Sequence, residues 1–162
     1  MQTLLPYAEN IAALLKRRGE SVAVAESSTG GLIAASLLAM PGASAYFLGG
    51  AVVYTKAARA ALLGIGDAEM AGLRPSTEVY ALTIAKRIRD SHGAVWAIGE
   101  SGATGPTGNR YGDAAGHSCI ALAGPIERAV TLETGKDDRA VNMRAFATRA
   151  LELFAETLEA AR

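Results

Sequence analysis

Hydroxyl residues and glycines stand together in the run Ala25-Glu26-Ser27-Ser28-Thr29-Gly30-Gly31. The apolar run Val22-Ala23-Val24 before it predicts a strand, and residues 32–38 after it recur at helical spacing. A turn at a helix start exposes unpaired backbone N–H groups beside the positive end of the helix dipole. A serine there could attack an electrophile while those N–H groups hold the developing oxyanion, or the turn could bind a phosphate. A simple cap on the helix by one of these hydroxyls is the alternative.

A second candidate segment covers residues 99–116 and begins directly after the apolar strand predicted at residues 94–98. Ligands of open sheets bind beyond the carboxyl ends of the strands, so a loop here lies where a ligand is expected. Its glycines allow close backbone approach, and Ser101, Thr104 and Thr107 offer hydroxyl donors to an anionic group. The segment matches neither the P-loop nor the dinucleotide fingerprint, and a flexible surface loop is the alternative.

The elements that must position these residues alternate along the chain. Apolar periodicity, β-rich runs and glycine stops predict the order helix, strand, helix, strand, helix, helix, strand, strand, strand, helix. Gly19 ends the first helix, Gly64 ends the third, and Ser76 is expected to cap the fourth at residues 78–90. Gly124-Pro125 predicts a hairpin between the last two strands. This order predicts an α/β fold with a mixed sheet and helices on both of its sides.

Composition limits the classes of function. The chain has 162 residues, half of them apolar, which suits a single domain over residues 1–162. Sixteen basic and sixteen acidic residues are spread along it, whereas a nucleic-acid surface needs a clustered basic face. The single cysteine, Cys119, fits a reducing, cytoplasmic compartment, and cysteines and histidines at metal-ligand spacing are missing. No signal peptide is predicted.

The stretch of residues 27–55 carries no charge and is long enough on paper to span a bilayer. Pro41-Gly42 and Gly49-Gly50 interrupt it, together with several serines. It is better interpreted as a buried helix, a turn and a central strand, so we expect no contact with a membrane.

Together the two candidate segments resemble the C-terminal domain of the competence-damage protein CinA, whose signature reads Ala-Glu-Ser-Cys-Thr-Gly-Gly. The resemblance covers nearly the whole chain and includes residues 41–47, 49–54, 62–65, 101–106 and 120–125. It implies a three-layer α/β/α sandwich with a mixed, mostly parallel sheet. We expect a stand-alone copy of that domain, without the molybdopterin-binding-like domain that accompanies it in the family. The implied activity is nicotinamide-nucleotide amidase: nicotinamide mononucleotide (NMN) and water give nicotinate mononucleotide and ammonia. No metal or cofactor is implied, and a homodimer is plausible.

The resemblance also implies catalytic roles. The family serine corresponds to Ser27 and the family tyrosine to Tyr54, but the family lysine position holds Arg59. Arginine stays protonated at neutral pH, so Arg59 cannot accept the serine proton. Lys56 lies three residues earlier on the same helix face and is the candidate base, with Arg59 left to hold phosphate. In the alternative, Lys56 is a solvated residue at the helix start.

The remaining assignments concern the substrate. Backbone N–H groups of residues 29–31 would hold the oxyanion, and the glycine-rich loop of residues 101–108 would cradle ribose phosphate. Arg139 would contact phosphate or a second subunit, with a plain surface charge as the alternative. The candidate substrate-binding residues are therefore Thr29, Gly30, Gly31, Arg59, Ser101, Gly102, Thr104, Gly105 and Arg139.

Two other classes of function stay open at this point. Arg59 at the lysine position favours a paralogue that binds a nucleotide without turnover. An adaptor in competence or DNA repair depends on the family name alone, and the neutral charge gives it no independent support.

Overall fold

The computed structural model describes residues 1–161, and its ten main elements follow the predicted order. The helices are α1 (Leu5–Arg18), α2 (Leu32–Leu38), α3 (Lys56–Leu63), α4 (Glu78–His92) and α5 (Arg139–Ala160). The strands are β1 (Val22–Glu26), β2 (Phe47–Val52), β3 (Trp96–Ala103), β4 (His117–Ala123) and β5 (Arg128–Glu133). Two short 3₁₀ turns, Gln2–Leu4 and Ala43–Ala45, precede α1 and β2.

The five strands form one sheet in the order β2-β1-β3-β4-β5. Strand β1 is parallel to both β2 and β3, whereas β4 is antiparallel to both β3 and β5. Only β4 therefore runs against the other four strands. This arrangement confirms the mixed, mostly parallel sheet and the hairpin around Gly124-Pro125.

Successive side chains of a strand point to opposite faces of its sheet, and different helices cover the two faces here. Val22 and Val24 point into the larger core, which α1, α2 and α5 cover. Ala23 and Ala25 point to the opposite face, under α3 and α4. These small residues let α4 approach closely, and a Cβ on Gly99 would lie 2.0 Å from the Ala81 carbonyl oxygen. The protein is thus a three-layer α/β/α sandwich.

Strand β3 is longer than predicted, and the prediction of a loop from residue 99 was wrong. Residues 99–103 continue the strand because β4 pairs with them, with Ser101 opposite Cys119. Gly102 permits the pairing, since a Cβ there would lie 2.4 Å from the His117 carbonyl oxygen. Ser101 and Gly102 are therefore strand residues, and the loop begins at Thr104.

The N-cap of α4 lies one residue later than predicted. Thr77 is the N-cap, and its hydroxyl accepts the Tyr80 N–H at 3.2 Å. Ser76 instead has a φ of 59° and donates its backbone N–H to the Ser101 hydroxyl at 3.2 Å. This left-handed conformation is unusual for a serine.

The carboxyl ends of the parallel strands lie at one edge of the sheet. Ser27 follows β1, Tyr54 follows β2 by two residues, and Thr104 follows β3. That edge is where open α/β sheets bind ligands. Across residues 1–161, no helix is both long and apolar enough to cross a bilayer.

Candidate functional site

Ser27 lines a cleft of about 300 Å³ at this edge of the sheet, which we call the serine cleft. The cleft brings together six of the predicted site residues: Ser27, Tyr54, Lys56, Arg59, Ser101 and Gly102. Its other walls are formed by Val53, Thr55, Pro75, Ser76, Tyr80, Asn109, Arg110 and Tyr111. The serine, the candidate base Lys56, the cation Arg59 and the tyrosine therefore line one space.

Helix α3 positions the two cationic residues. It begins at Lys56, and the Thr55 hydroxyl accepts the Ala58 N–H at 3.1 Å as its cap. Lys56 is exposed, whereas Arg59, one turn later, is only 5% exposed. The Arg59 Nε donates to the Ile65 carbonyl at 3.3 Å, which fixes the guanidinium beneath the cleft.

Tyr80 adds a phenol that the sequence did not single out. Burial raises the pKa of Tyr80, and the hydrogen bond and positive charge of Arg59 oppose that rise without cancelling it. The Tyr80 hydroxyl is therefore protonated at neutral pH and can act as a hydrogen-bond donor in the serine cleft.

Tyr54 lines both the serine cleft and a second space of about 230 Å³, which we call the loop cleft. Arg139, the first residue of α5, donates to the Tyr54 hydroxyl at 3.1 Å and to the Gly105 carbonyl at 2.8 Å. Thr104, Gly105 and Arg139 line the loop cleft and not the serine cleft, while Gly102 lines both. The predicted loop residues are thus divided between two neighbouring spaces.

The carboxylate of Glu100 holds the serine turn from below. It is fully buried at the position of β3 that follows Gly99, the partner of Ala25 in β1. Its Oε2 accepts the backbone N–H groups of Ser27 and Thr29 at 3.1 and 3.0 Å. Its Oε1 accepts the hydroxyls of Ser28 and Ser118, the latter at 3.0 Å.

Ser28 stands where the family signature has cysteine, and the contact with Glu100 gives this exchange a physical reason. A hydroxyl is a much better donor to a carboxylate than a thiol is. No role was predicted for Glu100, because a loop was expected from residue 99 and an acidic residue is ordinary in a loop. Inside the buried strand that the structure shows, such a charge needs several hydrogen-bond donors.

Glu26 is the second buried carboxyl under the turn. Its Oε1 accepts the Ala34 N–H at 2.9 Å and its Oε2 accepts the Ile33 N–H at 3.1 Å, at the start of α2. Burial raises the pKa of Glu26 above its ordinary value, the negative charge of Glu100 adds to the rise, and the hydrogen bonds from Thr29, Ala34 and Ile33 oppose it. A buried carboxyl beside a second one favours its neutral form.

The turn uses most of the N–H groups that were predicted to hold an oxyanion. The Thr29 N–H donates to Glu100, and the Gly30 N–H donates to the Ser27 carbonyl at 3.1 Å. Thr29 is fully buried, and Gly30 and Gly31 have φ values of 63° and 100°, which glycine adopts without strain. Thr29 and Gly30 therefore shape the turn. Among residues 1–161 the Ser28 N–H has no acceptor, and it lies next to Ser27.

The loop after β3 closes the far side of the serine cleft. The Asn109 Oδ1 accepts the N–H groups of Tyr111 and Asp113 at 3.0 and 3.1 Å. The Asp113 carboxylate accepts two bonds from Arg74, at 2.9 and 3.4 Å. These contacts hold Arg110 and Tyr111 at the cleft.

The family model of the CinA C-terminal domain matches residues 5–158. The chain belongs to the CinA C-terminal domain family. A CinA-like protein of Gloeobacter violaceus is 40% identical over 125 residues, which is 76% of this chain and 29% of that protein. A CinA-like protein of Chloroherpeton thalassium is 37% identical over 163 residues, covering 98% of this chain and 39% of its own length. The chain thus spans well under half the length of the curated relatives it matches.

Solved structures of the CinA superfamily have the same fold. The competence-damaged protein (CinA) superfamily protein of Klebsiella pneumoniae aligns with a TM-score of 0.89 at 25% identity. The alignment covers 96% of this chain and 98% of that one. Membership of the CinA family and the α/β/α architecture expected from the sequence are both confirmed.

Proposed function

We propose that this chain is an amidase that hydrolyses the carboxamide of NMN to nicotinate mononucleotide and ammonia. The observation that carries the proposal is the convergence of Ser27, Tyr54, Lys56 and Arg59 on one cleft of about 300 Å³. A nucleophile, a candidate base and a fixed cation in one concave space are the parts that such a reaction requires.

In this proposal the Ser27 Oγ attacks the carboxamide carbon and its proton passes to the amine of Lys56. The Ser28 N–H, which has no acceptor within residues 1–161, is the donor that we assign to the oxyanion of the tetrahedral intermediate. The carbon–nitrogen bond breaks, the nitrogen takes the proton from Lys56, and ammonia leaves. Water then attacks the acyl ester, loses a proton through Lys56, and releases the carboxylate and Ser27.

Arg59 has a different part in the proposal. Its guanidinium remains charged and is fixed by the Ile65 carbonyl, so it serves as a binding group for the substrate phosphate. Tyr54, held by Arg139 on its far side, is positioned to orient the base or to relay its proton.

A second candidate function is nucleotide binding without turnover. It is favoured by one observation, that the family lysine position holds Arg59 while Lys56 is exposed at the first position of its helix. In this case the cleft binds the same ligand and lacks a working base.

Ammonia release from NMN by the purified chain tests the two candidates, with Ser27→Ala, Lys56→Ala and Lys86→Ala compared in parallel. Lys86 is a matched control because its amine pairs with Glu127 at 2.9 Å, away from the cleft. Turnover that is lost in the first two variants and kept in the third supports the amidase with Lys56 as base. Turnover that survives Lys56→Ala removes Lys56 from the mechanism.

An inert parent chain that binds NMN by calorimetry decides for the binding protein. Activity gained by Arg59→Lys in that background would identify the missing base. A chain that neither binds nor hydrolyses NMN contradicts both candidates.

A further inference from the structure

The serine cleft continues into a larger space of about 460 Å³, which we call the outer cleft. The two spaces share five lining residues, and these form the junction between them: Lys56, Arg59, Pro75, Arg110 and Tyr111. The outer cleft alone is lined by Asp67, Met70, Gly72, Leu73 and Arg74. A ligand larger than a mononucleotide can therefore extend from Ser27 through the junction without leaving the concave surface.

Positive charge is concentrated at the junction. Four of the sixteen basic residues of this electrically neutral chain line the outer cleft, against one acidic residue, Asp67. Arg74 is neutralised by Asp113. Within the described residues, Lys56, Arg59 and Arg110 form no ion pair with a carboxylate, so their charge is available to a ligand. Three cations around one passage favour a group with more than one negative charge.

Beyond the junction, the side chains that line the outer cleft are apolar, aromatic and acidic as well as basic. Met70 and Leu73 are half-buried against the core beneath α4, and they present apolar surface to the outer cleft. The Tyr111 ring adds an aromatic face, whereas Asp67 is exposed and supplies the only carboxylate. Apolar and aromatic walls suit a planar base, and a carboxylate accepts hydrogen bonds from ribose hydroxyls or an exocyclic amine.

We propose that the outer cleft binds the second nucleotide of a pyrophosphate-linked dinucleotide whose nicotinamide carboxamide lies at Ser27. The pyrophosphate lies at the junction, between the three unpaired cations, and the distal nucleoside lies among Met70, Leu73 and Asp67. The bond that breaks is the same carboxamide carbon–nitrogen bond, and water replaces ammonia. This inference rests on the proposed amidase reaction and extends its substrate class from mononucleotides to dinucleotides.

The test compares nicotinamide adenine dinucleotide with NMN as substrates, by ammonia release, and as ligands of the Ser27→Ala variant, by calorimetry. Asp67→Ala and Met70→Ala alter only the outer cleft. We expect the ratio of kcat/KM for the dinucleotide to that for NMN to fall about tenfold in each variant, corresponding to the loss of one good contact. Glu9→Ala is the control, because it removes an exposed carboxylate that lines none of the three clefts.

The outcomes separate this inference from the proposed function. If NMN is hydrolysed but the dinucleotide is neither hydrolysed nor able to compete, the amidase stands and the dinucleotide site is overturned. If neither compound is hydrolysed, but the dinucleotide binds more tightly than NMN and Asp67→Ala removes that advantage, the outer cleft is a nucleotide site and the amidase fails. An unchanged substrate ratio in both outer-cleft variants also overturns the inference.

Discussion

Glu26 and Glu100 share the single hydroxyl of Thr29. The Thr29 Oγ1 lies 2.5 Å from the Glu26 Oε2 and 2.9 Å from the Glu100 Oε2, and all three side chains are fully buried. One hydroxyl carries one hydrogen and cannot donate to two carboxylates. A proton on Glu26 would resolve the conflict, because Glu26 would then donate to Thr29 and Thr29 to Glu100. The raised pKa of Glu26, which burial causes, favours this arrangement.

Glu100→Gln is expected to lower the free energy of unfolding by about 2–3 kcal/mol, because an amide NH₂ would face donors in either orientation. The Ser27 and Thr29 N–H groups point at one oxygen, and the Ser28 and Ser118 hydroxyls point at the other. Urea denaturation measures the change. Glu127→Gln, at an exposed position, is the control, and equal stability of the two variants would contradict the prediction.

Glu26→Gln is expected to cost less, about 1 kcal/mol, because the amide can reproduce most contacts of a protonated carboxyl. Its NH₂ can donate to the Thr29 hydroxyl, and its oxygen can accept the Ala34 N–H, while the longer bond from Ile33 is lost. Urea denaturation of Glu26→Gln measures this change in the free energy of unfolding. A cost for Glu26→Gln that equals the cost for Glu100→Gln would mean that both acids are ionised.

The raised pKa of Glu26 also predicts the direction of a pH dependence. Above its ordinary value of 4.5 the unfolded chain loses this proton while the folded chain retains it, so the folded state binds more protons. The stability of the parent chain relative to Glu26→Gln is therefore greatest near pH 4.5 and below. It declines as the pH rises through the raised folded pKa. Parallel urea titrations from pH 4 to pH 8 measure this difference, and a difference that grows with pH would refute the assignment.

His117 is expected to stabilise the fold below neutral pH. Burial lowers the pKa of His117, but its contacts with Glu133 and the Ser76 carbonyl, and the charges of Asp113 and Glu133, outweigh burial and raise it above 6.5 overall. The stabilisation of the folded state by protonated His117 is complete below pH 6.5. It is lost as the pH rises through the pKa of His117 in the folded chain. His117→Gln should therefore destabilise the chain more at pH 5.5 than at pH 8.5 in thermal unfolding. His92→Gln, at an exposed position, controls for the effect of pH itself.

The order of elements was predictable because its signals are local. Helix ends at Gly19 and Gly64 depend on the left-handed φ of one residue, and both helices end there. The placement of Lys56 and Arg59 on one face of α3 followed from helical spacing in the same way. Local patterns therefore identified the residues that face the serine cleft from this helix.

What the sequence did not predict depends on contacts between distant segments. The extension of β3 to Ala103 exists because β4 pairs with it, and β4 begins fourteen residues later at His117. The role of Glu100 depends on the register between β1 and β3, which brings it under residues 27–29. The predicted oxyanion role of Thr29 was wrong for the same reason, because the Glu100 side chain accepts the Thr29 N–H. The Gly30 N–H is likewise used, by the Ser27 carbonyl.

The exchange of cysteine for Ser28 has a consequence for the redox chemistry of the molecule. The one thiol that remains, Cys119, is buried in β4, and burial raises its pKa so that little thiolate exists at neutral pH. Alkylating reagents act on exposed thiolates, so they should leave Cys119 of the native chain unmodified. A relative that keeps the signature cysteine has a thiol beside the serine that corresponds to Ser27, whereas the serine turn of this chain, residues 27–31, carries only hydroxyl side chains and glycines.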